Sequence, residues 1–162
     1  MRRYFLLLLI GLVLGGTAGF AAGIFVYPYL FLNDIVANEP VTDEPSRTLV
    51  ATGEFVHADP SDPIHRGQGG VKVYRDLLHL TSDFEVGPGP KYHVYLVPVD
   101  EVTPSTAVEK TMFVDLGRLR AFRGSQNYPI PSGVDLKDYP HVVIWCEQFS
   151  VLISPARLEY VK

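Results

Sequence analysis

With 162 residues and one cysteine, the chain has room for one ordinary domain plus a short extra segment, and no intramolecular disulfide can form. The formal charge is −4, but Arg2 and Arg3 are the only charged side chains before residue 34, so residues 34–162 hold 12 basic and 18 acidic groups, a net −6. An acidic body with no basic stripe excludes a phosphate-tracking surface, and nucleic acid as a partner with it.

Residues 1–3 read as a short cytoplasmic end and residues 4–32 as a transmembrane signal-anchor. No charge occurs from Tyr4 to Leu32, a run longer than the roughly 20 apolar residues that cross a bilayer. Pro28 is expected to end the regular helix near Tyr27. Arg2 and Arg3 before the run and Asp34, Glu39, Asp43 and Glu44 after it place the N-terminus in the cytoplasm. The body is then extracytoplasmic, periplasmic in a Gram-negative cell, and the lipid bilayer is the first expected partner. Tyr27, Tyr29 and Phe31 form an outer aromatic belt in this reading, with Tyr4 and Phe5 inside. A cleaved secretory signal is the competing reading, because Ala18–Ala22 offers small residues to a peptidase. Gly11, Gly15, Gly19 and Gly23 recur every fourth residue, which puts a glycine groove along one helix side. That groove suits a homodimer or another membrane helix, although glycine is also common in membrane helices.

Residues 33–47, acidic and carrying Pro40 and Pro45, read as a semi-rigid spacer with too few apolar residues to fold. From residue 48 to 162 the pattern changes to short β-rich runs cut by turn residues. Leu49–His57 leads into a loop with two prolines and three glycines. Val71–Tyr74 and Leu77–Thr81 form an expected hairpin. Tyr92–Val97 and Met112–Leu116 follow. Tyr128–Ile130, with Pro129 inside it and Pro131 after it, suits a sheet edge. Val142–Cys146 and Val151–Ile153 close the series, with Arg157–Val161 trailing. No stretch has helical periodicity. Seven to nine short strands spaced by turns predict an all-β domain, an antiparallel β-sandwich or barrel, preceded by one transmembrane helix.

Motifs of self-contained enzymes are missing. There is no G-x-S-x-G, H-E-x-x-H, Walker loop or C-x-x-C, and the five histidines have no metal-ligand spacing. His65 lies in a loop with Asp59 and Asp62, as a metal, haem or substrate contact or as a histidine that closes a turn. His93, on the strand YHVYLV, reads as a cross-strand or surface residue. Two carboxylates among prolines fall short of the six to eight oxygens that calcium takes.

The remaining candidate is Cys146, in HVVIWCEQFS. On a strand Val142, Ile144 and Cys146 point to one face, and Val143, Trp145 and Glu147 to the other. Free cysteine often behaves as a small buried hydrophobe. Outside the cytoplasm, however, an unpaired thiol sits where disulfides are made, so the alternative is a working thiol or a ligand to copper or haem iron.

From about residue 50 to 158 the body resembles the DM-thirteen domain, an electron-transfer domain often found beside DOMON domains in animal cell-surface proteins. Gly53 to Phe55 resemble its opening G-x-F, and His65, Gly69 and Val71 its H-x-x-x-G-x-V. Leu80, Phe84, Gly89, Pro90, Val94, Tyr95 and Leu96 follow its next segment, and Val114 to Leu119 resemble V-D-L-G-x-L. Gly124, Gln126, Asn127, Tyr128, Ile130 and Pro131 resemble G-x-Q-N-Y-x-I-P, leading into Val143 to Cys146 and Phe149 to Val151. Lys91 and Tyr92 depart from the family's usual Asp-Leu. The resemblance implies a redox or electron-transfer module working through Cys146, as a bare thiol or by holding a prosthetic group such as haem. His65 is then a candidate second contact, and Trp145 and Phe149 pack around the group. A separate cytochrome or other redox protein would be the partner. The alternative function is a non-catalytic module that binds an envelope protein or glycan, with Cys146 merely buried.

Overall fold

The computed structural model describes residues 2–27, 30–31 and 34–161. Helix α1 spans Arg2–Tyr27, and its stretch Arg2–Ile24 is long and apolar enough to cross a membrane. A signal sequence passes the same test. The expected helix stop at Pro28 and the belt residue Tyr29 lie outside the described residues.

The rest is one mostly antiparallel, unclosed sheet of eleven strands. In chain order they are β1 (Val36–Asn38), β2 (Leu49–Phe55), β3 (Gly67–Gln68), β4 (Gly70–Tyr74), β5 (Leu77–Leu80), β6 (Glu85–Val86), β7 (Tyr92–Val97), β8 (Val114–Arg118), β9 (Arg123–Pro129), β10 (His141–Cys146) and β11 (Val151–Tyr160). The spatial order is β3-β6-β9-β5-β4-β2-β11-β10-β7-β8, with β1 added parallel to β9. β3 lies near β11 and β2, and β8 near β9, so the sheet curls and each end folds back toward the opposite half without pairing to it. This is the expected all-β antiparallel domain, built as one curled sheet that does not close into a barrel. The strand number exceeds the expected seven to nine because β1, β3 and β6 are only two or three residues long.

Hydrophobic alternation explains the two cores. Val142, Ile144 and Cys146 face the inside of the curl with Val94, Leu96, Ile153 and Phe122. Val143, Trp145, Tyr95, Val97 and Leu152 form a smaller cluster on the outer face, covered by Val99, Val102 and Phe113 from the connection between β7 and β8. Strand β10 is therefore buried on both faces, which is why its sequence is an unbroken apolar run.

Two expectations need correction. Residues 36–47 are not a free spacer. β1 pairs with β9 from Val36↔Arg123 to Asn38↔Ser125. Glu39 then takes Arg120 in a fork, Nε to Oε1 at 2.9 Å and Nη2 to Oε2 at 2.7 Å, and accepts from the Asn127 amide at 2.8 Å. Glu44 accepts from Lys72 Nζ at 2.8 Å and from the Tyr74 hydroxyl at 2.5 Å. Polar pairing with distant strands does here what apolar burial could not.

The expected edge at Tyr128 agrees with the pairing: β5 and then β6 run along one side of β9, while β1 covers only Arg123–Ser125 on the other, so Tyr128 and Pro129 have a strand neighbour on one side alone. Pro129 sits at its last residue, where a missing donor costs least.

The second correction is the expected break between Ile153 and Arg157. β11 runs through it, Pro155 included. In a strand the N–H and C=O of one residue point to the same side. The Pro155 carbonyl accepts from Val56, just beyond the end of β2, so its absent N–H falls where the ladder stops.

Candidate functional site around Cys146

Cys146 is the last residue of β10, between Tyr92 of β7 and Val151 of β11. Its side chain points into the inner core and the residue is 1% exposed. The thiol donates to the Pro90 carbonyl at 3.3 Å, so the Gly87–Pro90 segment closes one side of the sulfur. On the other side the chain makes the exposed turn Glu147–Ser150 into β11, with Ser150 at a left-handed φ of 51°.

Burial is the largest influence on this thiol and pushes its pKa up. The backbone amides of Phe149 and Gln148 bond to the sulfur and pull the other way, and the nearby Glu147 adds to the rise. The net direction is upward, so Cys146 rests as a protonated thiol. While the turn is closed, the two amides offset part of the burial penalty.

Haem or copper does not fit this position. Among the described residues, Cys146 belongs to no group of three side chains able to ligate a metal, and the inner core around it is filled by side chains. A copper thiolate site needs further ligands beside the sulfur, and a haem needs an open pocket there, which the packed core does not offer.

His65 has a partner of its own. Its Nδ1 lies 2.5 Å from Asp62 Oδ2, while Asp62 Oδ1 accepts from the amides of Ile64 at 2.9 Å and His65 at 3.2 Å. Asp59 likewise caps Ser61, at 2.9 Å from its amide and 2.6 Å from its hydroxyl. No hydrogen bond or ion pair among the described residues joins His65 to Cys146. The structure brings neither Trp145 nor Phe149 around the sulfur as packing: Trp145 is in the outer cluster, and Phe149 is 43% exposed on the turn.

The hydrogen bond from His65 holds the Asp62 carboxyl at about 2, down from an ordinary 3.8. A depressed carboxylate stabilises the fold above its unfolded pKa, and that contribution disappears as pH falls from about 4 to 2. Acidification through this window is expected to loosen residues 57–66 before the sheet. Carbon-detected NMR should place the Asp62 midpoint near 2, and a midpoint near 4 would contradict the contact.

A second polar group escaped the sequence reading. His93 of β7 lies across from Arg118 on β8 and Trp145 on β10. Its Nδ1 is 3.1 Å from both oxygens of Asp115, and its Nε2 is 3.4 Å from Glu147 Oε2. The three residues come from positions 22 and 32 apart in sequence. No linear spacing marks them, and only the pairing of β8, β7 and β10 makes them neighbours.

One comparison with known proteins bears on the chain. The family model described as electron transfer DM13 matches residues 60–158. No curated protein and no solved structure gives a match.

Proposed function

Because the chain belongs to the electron transfer DM13 family, we propose that it is a membrane-held redox module whose working group is the Cys146 thiol, gated by the Glu147–Ser150 turn. The observation that carries this reading is the place of the sulfur. The chain's only thiol sits inside the matched segment, at the end of a fully buried strand, beneath an exposed four-residue turn that directs two amides at it. Opening the turn hydrates the sulfur, lowers its pKa and frees a thiolate. The thiolate attacks a disulfide of a separate redox partner, forms a mixed disulfide and releases the partner's other sulfur as thiolate. A second external thiol must resolve that bond, since this chain has no other cysteine.

In the same proposal α1 stays uncleaved and anchors the domain on the extracytoplasmic face, where Arg2 and Arg3 hold the N-terminus inside. Gly11, Gly15, Gly19 and Gly23 have open space over each Cα, and the groove pairs two copies of the helix. Crosslinking in membranes is expected to give a dimer that Gly15→Ile with Gly19→Ile reduces severalfold; an unchanged dimer would count against the groove.

The chemistry is tested by incubating the reduced full-length chain in detergent with glutathione disulfide. One reversible adduct on Cys146 in the folded protein is expected. The burial of Cys146 favours a second reading, a non-catalytic binding module with an inert thiol, and that reading predicts no adduct until denaturant is added.

A further inference from the structure

We propose that His93, Asp115 and Glu147 form a site for one divalent transition-metal ion on the outer face of the sheet, opposite to Cys146. One donor atom from each of the three lies within 4.8 Å of the other two. A metal with bonds of about 2.0–2.2 Å holds its ligands roughly 3–3.5 Å apart, so the three donors must draw together on binding. His93 meets Asp115 through Nδ1 at 3.1 Å and Glu147 through Nε2 at 3.4 Å, so one carboxylate swings to the ring nitrogen that takes the ion.

Three further features favour an ion over a mere hydrogen-bonded cluster. The donors are carried by three adjacent strands or the residue just after one, so their backbone positions are fixed before any ion arrives. Each carboxylate also has an outer partner that orients it. The Tyr95 hydroxyl donates to Glu147 Oε1 at 2.8 Å, and the Gly117 amide donates to Asp115 Oδ1 at 2.8 Å. Tyr95 is itself held by stacking on Phe113, with ring centroids 4.3 Å apart. Finally, a divalent ion would bring positive charge to two adjacent carboxylates that no arginine or lysine pairs with among the described residues. Arg118 lies across from His93 but makes no ion pair with either carboxylate among the described residues.

Ligand chemistry sets the class of ion. One imidazole nitrogen with two carboxylate oxygens suits zinc, manganese, iron or copper, whereas calcium needs more oxygens and no imidazole. His93 is mostly buried, while the side chains of Asp115 and Glu147 are 40% and 37% exposed, so the open side of the ion faces solvent. Water or a partner's side chain completes the shell there. This inference does not rest on the thiol reading, since the site shares a strand end with Cys146 but not a face.

The test titrates cobalt(II) into the tag-free, chelator-stripped full-length chain in detergent, followed by zinc competition. One cobalt per chain is expected, with the visible spectrum of nitrogen and oxygen ligation, displaced by zinc. His93→Gln and Glu147→Gln should each weaken binding at least tenfold, and Cys146→Ala should leave it unchanged. Should either glutamine variant fail to match the wild-type circular dichroism, Asp115→Asn takes its place. Absence of saturable binding by the wild type, equal affinity in the variants, or a thiolate charge-transfer band would overturn the proposal.

Discussion

Replacing Gln126 with leucine is expected to destabilise the domain by about 3–5 kcal/mol, a large part of the 5–15 kcal/mol typical of a whole domain. Gln126 is fully buried on β9. Its Oε1 accepts from the amides of Arg120 at 2.9 Å and Ala121 at 3.2 Å and from the Tyr128 hydroxyl at 2.9 Å. Its Nε2 returns a bond to the Ala121 carbonyl at 2.8 Å. These contacts tie down the connection between β8 and β9, where the curl brings the end strand β8 back beside β9. Leucine fills the space but leaves buried donors without an acceptor, each worth about 1–3 kcal/mol. Tyr128→Phe is the control. It removes one donor and leaves the amides satisfied, so its cost should be near 1 kcal/mol. Urea unfolding followed by the fluorescence of Trp145 measures both. Equal losses in the two variants would show that the Gln126 network does not hold this connection.

Gly124→Ala carries the second large effect, expected at about 2–4 kcal/mol. Gly124 has φ +85°, in the left-handed region where a side chain is strained. A methyl group there would also overlap the carbonyl oxygen of Ala37 in β1 and approach the Val36 side chain. The strain and the collision act at one place, so β1 should lift from β9 while the remaining ladder holds. Amide exchange is the discriminating measurement: Glu39, which donates to Ser125 at 3.1 Å, should lose protection before the amides of β10. Uniform loss across the sheet would contradict a local detachment. Burial would by itself raise the Glu39 carboxyl pKa, but the fork from Arg120 and the Asn127 amide hold it below its ordinary value. Docking of β1 should therefore weaken again as acid protonates Glu39.

How much was legible in the sequence depended on how each element is held. β10 was plain, because a short unbroken run of β-branched residues reads as a strand buried on both faces. The hairpin of β4 and β5 was equally plain, being closed by two polar residues. β1 was not, since Glu39 answers to Arg120 and Asn127, 81 and 88 residues away, and composition alone made the segment look like a spacer. Pro155 concealed the length of β11, because only the end of β2 shows why a proline is harmless there. Cys146 stood out by being unique, and its outward neighbour Glu147 was placed on the correct face by alternation. The grouping of His93 with Asp115 and Glu147 depends on strand order, including a bulge between Val94 and Tyr95, and strand order is not written in any single segment.

The central claim is that Cys146 becomes reachable through local opening of one turn, without unfolding of the sheet. Its most direct measurement is the alkylation rate of the folded full-length chain in detergent, set beside the global unfolding rate under the same conditions. Alkylation is expected at least tenfold faster than unfolding, rising with pH as the buried thiol ionises, and faster again when Phe149→Gly loosens the Glu147–Ser150 turn. Alkylation that keeps pace with global unfolding in both the wild type and that variant would contradict it.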